Sequence, residues 1–208
     1  MMFTNESLIV LRSSVRKSMS EKRYLHTLGV EKMARYLGGV ILQDKVDELS
    51  AASLLHDIAK ECSYEEHLNL VSTLDYITQE DIETKPALHS YAAVNLIKKE
   101  YPAYATPDIL SAVANHTLGA PGMSVFDEII FISDYAEEGR TYKTCIEVRE
   151  YLLKNVSITK SHEDNLSALH NASHKALIAT ISSLSLRNEK INERTFLTKE
   201  YFERIISK

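Results

Sequence analysis

The stretch VDELSAASLLHDIAK, residues 46–60, ends a run of small and apolar residues with an adjacent histidine and aspartate. Its apolar residues Val46, Leu49 and Ala52 recur at the spacing of an amphipathic helix. We therefore expect His56 and Asp57 near the end of a helix that packs into a core. Ionisable side chains are seldom buried without a partner, so this pair is a candidate for a functional centre. An adjacent histidine and aspartate are common by chance, and the pair gains weight only in combination with other such residues.

Helical signals extend outward from this stretch over most of the chain. Only six glycines and four prolines occur among 208 residues, so long segments lack the residues that interrupt helices. Helices are predicted at about 5–17, 87–100 and 163–187, and another after Thr198. Helix starts are predicted at the capping residues Ser20, Asp44, Ser63, Thr106 and Ser124, and helix ends near Gly38-Gly39 and Gly139. The predicted fold class is all-α.

Length and composition bound the other properties of the chain. We expect one domain over residues 1–208, with a metal-site core at about 20–140 and a C-terminal helical extension at about 144–208. The net charge of −5 and the lack of a basic block argue against a general nucleic-acid binder. No run approaches the roughly 20 apolar residues of a membrane span. Cys62 and Cys145 indicate reduced thiols, and the cytoplasm is the expected location.

Ionisable residues recur within or beside strongly apolar helical segments. Histidine nitrogen and carboxylate oxygen together suit iron, manganese or zinc, and such an ion would offset the loss of hydration. Asp57 could bridge two ions, so the spacing does not decide whether the site holds one metal ion or two. The candidate residues are His26, His56, Asp57, His89, His116 and Asp134.

Three cationic side chains flank these candidates. Arg23 shares a helix face with His26, and Lys60 follows Asp57 by three residues. Arg140 follows Gly139 in a loop, where its guanidinium could bind a phosphate through two hydrogen bonds. This arrangement favours an anionic substrate.

The remaining histidines have a plainer interpretation. His67 lies in an acidic helix and is expected at the surface. His170 and His174 could form a metal pair four residues apart, but their polar neighbours favour a solvated face, as they do for His162.

The order of the motifs RYLHTLGV (23–30), LLHDIAK (54–60) and FISDYAEEGR (131–140) resembles the HD-domain superfamily of metal-dependent phosphohydrolases. The further segments ALHSYAAV (87–94) and NHTLGAPGM (115–123) make the chain similar to the YqeK family within it. The resemblance implies an all-α HD-domain helical bundle with additional C-terminal helices. It also implies symmetrical hydrolysis of diadenosine tetraphosphate to two ADP, with iron as the usual metal.

The resemblance assigns roles to residues by motif. The implied metal ligands are His26, His56, Asp57 and Asp134. The implied substrate-binding residues are Arg23, Asp57, Lys60, His89, His116, Thr117 and Arg140, of which His89, His116, Lys60 and Arg140 are also the candidate catalytic residues. The segment KINERTFLT (190–198) corresponds to a nucleotide-contacting segment of the family but departs from its more proline-containing pattern.

Other functions remain open at this point. HD-type enzymes also act on nucleoside monophosphates, deoxynucleotides and cyclic nucleotides, so the chemistry is better defined than the substrate. A slow nucleotide-binding sensor is a second alternative, although sensors often lack a ligand that is present here. A third alternative is a purely structural helical module. It requires that every ionisable residue in an apolar helical segment is there by chance. The expected partner is a small nucleotide, with a homodimer left open.

Overall fold

Alternating N-terminal caps and apolar stripes produce a chain of helices in the computed structural model, which describes residues 3–207. No strand occurs in that range, so the predicted all-α class is confirmed. The α-helices are α1 (Asn5–Lys17), α2 (Glu21–Ile41), α3 (Val46–Leu55), α4 (Tyr64–Val71), α5 (Gln79–Glu83), α6 (Leu88–Glu100), α7 (Pro107–Asn115), α8 (Val125–Ala136), α9 (Lys143–Asn155), α10 (His162–Leu186) and α11 (Glu193–Ile206).

Four of the five predicted caps are present. The hydroxyls of Ser20, Ser63, Thr106 and Ser124 each accept a backbone N–H from the first turn of α2, α4, α7 and α8, respectively. The prediction for Asp44 is wrong, because it lies in a short 3₁₀ turn and α3 begins without a side-chain cap. Side-chain caps are local, which is why sequence alone identified most of them.

Two predicted helix boundaries are also wrong. Helix α2 continues through Gly38 to Ile41, and a Cβ on Gly38 would lie 2.4 Å from Leu49 Cδ1. That glycine therefore permits close packing of α2 on α3 rather than ending the helix. Helix α11 begins at Glu193, where the side chain of Asn192 provides the cap, and not after Thr198.

The central helices gather around α3. Helix α2 packs along α3 and α8, while α7 packs on α3, α6 and α8. Every residue of α3 from Glu48 to Leu55 is buried, so both the front and the back of this helix are covered. On the far side α10 packs against α8, α9 and α11. The end of α3, where the histidine and aspartate follow, is thereby enclosed by helices.

Between residues 3 and 207, none of the helices combines the length and apolar character needed to cross a lipid bilayer.

Candidate metal centre

Four side chains from three parts of the fold meet at the end of α3. His26 lies on α2, Asp134 lies on α8, and His56 and Asp57 directly follow α3. His26 Nε2 lies 3.0 Å from Asp134 Oδ1 and 3.6 Å from Asp57 Oδ2. His56 Nε2 lies 3.4 Å from Asp57 Oδ2 and 4.0 Å from Asp134 Oδ1. The structure therefore places the four predicted metal ligands around one point.

Backbone carbonyls fix the orientation of three imidazole rings. The Nδ1 atoms of His56, His89 and His116 donate to the carbonyl oxygen of the residue three positions earlier, at 2.6, 2.8 and 2.7 Å. A carbonyl can only accept, so each Nδ1 carries a proton and Nε2 is the ring nitrogen that faces the centre. The three Nε2 atoms face the side of the centre where Asp57 lies.

Glu137 fixes the fourth ring. Its Oε1 lies 3.2 Å from His26 Nδ1, and its side chain is almost fully buried. A Cβ on Gly29 would lie 2.3 Å from Glu137 Oε2, so the glycine makes room for this carboxylate beside α2. Sequence reasoning missed Glu137, although its position three residues after Asp134 and its place in YAEEGR were available signals.

The two carboxylates beside His26 favour positive charge at that point of the centre. Burial lowers the pKa of His26, but the Asp134 and Glu137 carboxylates outweigh it and raise that pKa to about 9. Within the described part of the chain, Nε2 of His56 is buried without a hydrogen-bond partner. Lone pairs of nitrogen and carboxylate oxygen facing one another are the donor set that binds a divalent transition metal. The residues present therefore fit a metal ion.

Asp57 faces two groups of ligands. Its Oδ2 points toward His26 and His56, whereas its Oδ1 lies 3.1 Å from His89 Nε2 and 3.7 Å from His116 Nε2. His56, Asp57 and His116 offer donor atoms within 4.8 Å of one another, as do His26, His56 and Asp134. One carboxylate thus stands between two candidate positions for an ion.

Two arginines neutralise the carboxylates. Arg23 Nη1 donates to Asp57 Oδ2 at 2.6 Å, and Arg140 Nη2 donates to Asp134 Oδ1 at the same distance. Sequence reasoning placed both guanidinium groups toward a bound phosphate. In the structure both side chains remain partly exposed, with 26% of Arg23 and 35% of Arg140 accessible to solvent. Each guanidinium group therefore contacts a carboxylate of the centre and also faces solvent.

The side of Asp57 that faces His89 carries further polar groups. Lys60 Nζ lies 3.2 Å from His89 Nε2, and Thr117 Oγ1 lies 3.2 Å from His116 Nε2. Burial lowers the pKa of Lys60, and it also lowers that of His89, to about 4. At neutral pH the His89 ring is uncharged and can accept a hydrogen bond or bind an ion. The structure therefore brings together all the predicted site residues.

A comparison with known protein families finds a match over the part of the chain that contains the centre. The HD domain family model matches residues 23–154, which includes every residue of the centre. The chain belongs to the HD domain family. The superfamily resemblance noted from the motifs is confirmed, and this HD-domain protein is a hydrolase by its relatives.

Two of the most similar relatives of the HD-domain protein carry the same name. A symmetrical bis(5'-nucleosyl)-tetraphosphatase of Bacillus subtilis (strain 168) is 27% identical over 185 residues, covering 88% of this chain and 91% of that protein. Another from Halalkalibacterium halodurans is 29% identical over 186 residues, covering 88% and 90%. The narrower resemblance to the YqeK family is thereby confirmed.

A solved structure supports the same fold. The crystal structure of an HD superfamily hydrolase from Clostridium acetobutylicum, described as involved in NAD metabolism, has a TM-score of 0.81 and 27% identity. It covers 99% of this chain and all of that one. The likeness therefore includes the C-terminal helices as well as the HD domain.

Three histidines outside the centre differ from their predicted surroundings. His67 is buried, and its Nε2 donates to the Ala59 carbonyl oxygen at 2.7 Å, so the predicted surface position is wrong. The solvated face predicted for His170 and His174 is also wrong. His170 Nδ1 donates to buried Glu128 at 2.8 Å, and His174 is half-buried. The partner of His170 is an acidic residue on α8. Sequence patterns do not predict this pairing, because it depends on how α8 and α10 pack together.

The C-terminal segment 190–198 of the HD-domain protein lies beside the His116 loop. A Cβ on Gly119 would lie 2.6 Å from Thr198 Cγ2. Asn192 Nδ2 donates to Asp81 Oδ1 at 3.3 Å, which ties the start of α11 to α5. This segment borders a cleft of about 300 Å³ together with Thr78 and Pro121.

Proposed function

We propose that this HD-domain hydrolase cleaves diadenosine tetraphosphate symmetrically into two ADP. The observation that carries the proposal is the convergence of histidine nitrogens on Asp57 and Asp134, with three cationic side chains around them. A centre of this kind suits hydrolysis of a highly anionic phosphate chain. The names of the two tetraphosphatase relatives support the choice of substrate.

In this proposal His26, His56, Asp57 and Asp134 hold a divalent ion. Iron is the proposed metal, with manganese and zinc as the other candidates for a mixed nitrogen and oxygen donor set. His89 and His116 are available to a second ion or to the substrate. When bound, the ion would supply Lewis-acid activation of water and neutralisation of phosphate charge.

The chain's own residues would orient the substrate and balance its charge. Arg23, Lys60 and Arg140 would pair with phosphoryl oxygens, and Thr117 would hydrogen-bond to the same phosphates. Attack by water on one β-phosphorus forms a P–O bond and breaks the bond to the oxygen bridging the two β-phosphates. That oxygen leaves with the second ADP and takes up a proton. His89 and His116 would contact this departing phosphate.

The test is to incubate metal-loaded protein with diadenosine tetraphosphate and resolve the products by anion-exchange chromatography. Two ADP per substrate are expected. AMP plus ATP, or no turnover, contradicts the proposal. A panel containing a nucleoside monophosphate, a deoxynucleoside triphosphate and a cyclic nucleotide, run in parallel, detects another HD-type substrate. Tight nucleotide binding without products would indicate a sensor.

Metal analysis of the purified protein tests the ligand assignment separately. Iron is expected in the wild-type chain, and the Asp57→Ala variant is expected to lose most of it, because that carboxylate faces both groups of histidines. Unchanged metal content in this variant would remove the basis of the proposed centre. Asp75→Ala, which changes an exposed aspartate away from the centre, is the matched control.

A further inference from the structure

A cleft larger than the one beside α11 opens directly from the centre. It encloses about 870 Å³ between the first turns of α2 and the loop that joins α8 to α9. His26, Arg23 and Arg140 stand at its inner end, and Leu25, Thr141 and Tyr142 lie further out. This volume is in the range of pockets that bind nucleotide-sized ligands.

Two exposed apolar side chains line this cleft. Tyr142 is 75% exposed immediately before α9, and Leu25 is 60% exposed on α2. A base can stack on an exposed aromatic face whatever its identity, because every base has a π-face. Lys22 also lines the cleft and is exposed one residue before Arg23. The cleft therefore combines an aromatic platform with a row of cations.

The acidic residues that line the cleft are already engaged. Glu138 accepts from Lys32 Nζ at 2.5 Å, and Glu137 is buried against His26. Neither carboxylate is left unpaired toward the open part of the cleft. Lys22, by contrast, belongs to no ion pair within residues 3–207, so its ammonium group is available to an anion. The charge of the cleft thus favours a phosphate-bearing ligand.

The proposed cleavage itself requires two binding sites. A dinucleotide cut at its central bridging oxygen places that oxygen at the centre, so one nucleoside diphosphate moiety must extend to each side. Asp57 has His89, His116 and Lys60 toward one side and Arg23 and His26 toward the other. The 870 Å³ cleft opens from the second side, where Arg23 and His26 line its inner end.

We infer that the cleft of Lys22, Leu25 and Tyr142 binds one nucleoside diphosphate moiety of the substrate, an inference that rests on the proposed function. Tyr142 stacks on the base and Leu25 contacts the nucleoside. Lys22 pairs with the phosphate nearer the nucleoside, while Arg23 and Arg140 bind the phosphate next to the centre. These side chains determine how strongly the second half of the dinucleotide is held.

Steady-state kinetics with diadenosine tetraphosphate test this inference. Tyr142→Ala and Lys22→Ala are each expected to raise KM about tenfold with little change in kcat, since each removes contact with a remote part of the substrate. Tyr142→Phe keeps the aromatic face and is expected to retain the wild-type KM. Lys143→Ala is the matched control, because this neighbouring lysine is 89% exposed and does not line the cleft.

Titration of metal-loaded protein with ADP, followed by calorimetry, provides a readout independent of turnover. Two ADP molecules per chain are expected for the wild type and one for Tyr142→Ala. Unchanged KM in both alanine variants, or one ADP per wild-type chain, overturns the second site while leaving symmetrical cleavage intact. Failure of the wild type to form two ADP from the dinucleotide instead overturns the proposed function, and the inference with it.

Discussion

Glu137 pairs with the outer nitrogen of the His26 ring and so acts on the centre from behind that ring. A carboxylate hydrogen-bonded to the outer nitrogen of a metal-binding histidine fixes the ring and increases its basicity. Glu137 is held in turn by the backbone N–H of Gly139, which donates to its Oε2 at 2.5 Å. His26 therefore depends on a glycine in the next loop for its orientation.

Glu137→Gln is expected to weaken metal binding by about 10- to 100-fold, because the amide is a poorer partner for the His26 N–H. Competition with a chromogenic chelator measures the change. Glu138→Gln is the control, since that exposed neighbour pairs only with Lys32. Equal affinities in the two variants would exclude this role for Glu137.

Gly29→Ala is expected to have a similar effect without touching an ionisable group. The new Cβ would lie 2.3 Å from Glu137 Oε2, so the carboxylate must move away from His26. Gly39→Ala lies on the same helix and has no heavy atom within 4 Å of its Cβ. That control is expected to retain metal affinity and to gain about 0.5–1 kcal/mol in helix stability. Metal affinity and thermal unfolding distinguish the two variants.

At the scale of helices, the site loop depends on α9. Arg149 Nη1 donates to the carbonyl oxygens of Glu137 and Arg140, at 2.7 and 3.2 Å, which secures the loop that carries Arg140. The sequence predicted Arg140 in a loop but gave no sign of what holds it. That contact joins a side chain of α9 to backbone carbonyls of the loop before it, and no local pattern encodes it. Helix starts were predictable because their caps lie within four residues.

Helices α8 and α10 are joined by a buried acidic residue. Glu128 is 2% exposed, accepts from His170 Nδ1, and has a pKa raised by burial. Because the folded pKa lies above the unfolded value, its stabilising contribution is complete below the unfolded pKa and is lost as pH rises through the folded pKa. His170 offsets part of that loss by donating a hydrogen bond.

His170→Ala is therefore expected to lower the free energy of unfolding by about 3 kcal/mol at neutral pH, because it leaves a buried carboxylate without its donor. The difference from wild type is expected to shrink below about pH 4, where the carboxyl is protonated in both states. Urea denaturation at the two pH values measures this. His162→Ala, at the exposed start of the same helix, is the control. A pH-independent difference would contradict the assigned cause.

At the scale of the whole molecule, the centre connects five helices. Its ligands and neighbours lie on α2, α6 and α8 or directly after α3 and α7. The motifs allowed these histidines and aspartates to be predicted, because each motif places an ionisable residue within an apolar helical segment. The roles of Gly29 and Arg149 could not be predicted from the same patterns, since each depends on a contact between separate elements of the fold.

Metal removal is expected to lower the stability of the entire fold. An ion that binds only the folded chain stabilises it by about 2.7 kcal/mol at a concentration one hundredfold above its Kd. For a chain of this size that corresponds to a fall in Tm of roughly 5–10 °C on chelation. Differential scanning fluorimetry with and without a chelator measures the fall. Asp57→Ala is expected to show none, and a chelator response equal to wild type would contradict the assignment.

The ring anchors also have a consequence for how quickly the protein takes up its ion. Every imidazole at the centre is hydrogen-bonded at Nδ1 to an oxygen of the chain itself, so its direction is set before any ion arrives. Loading then requires no folding step and only small rearrangement. Metal uptake should follow a single bimolecular phase. Protein stripped of its metal should regain its full metal content without being unfolded and refolded.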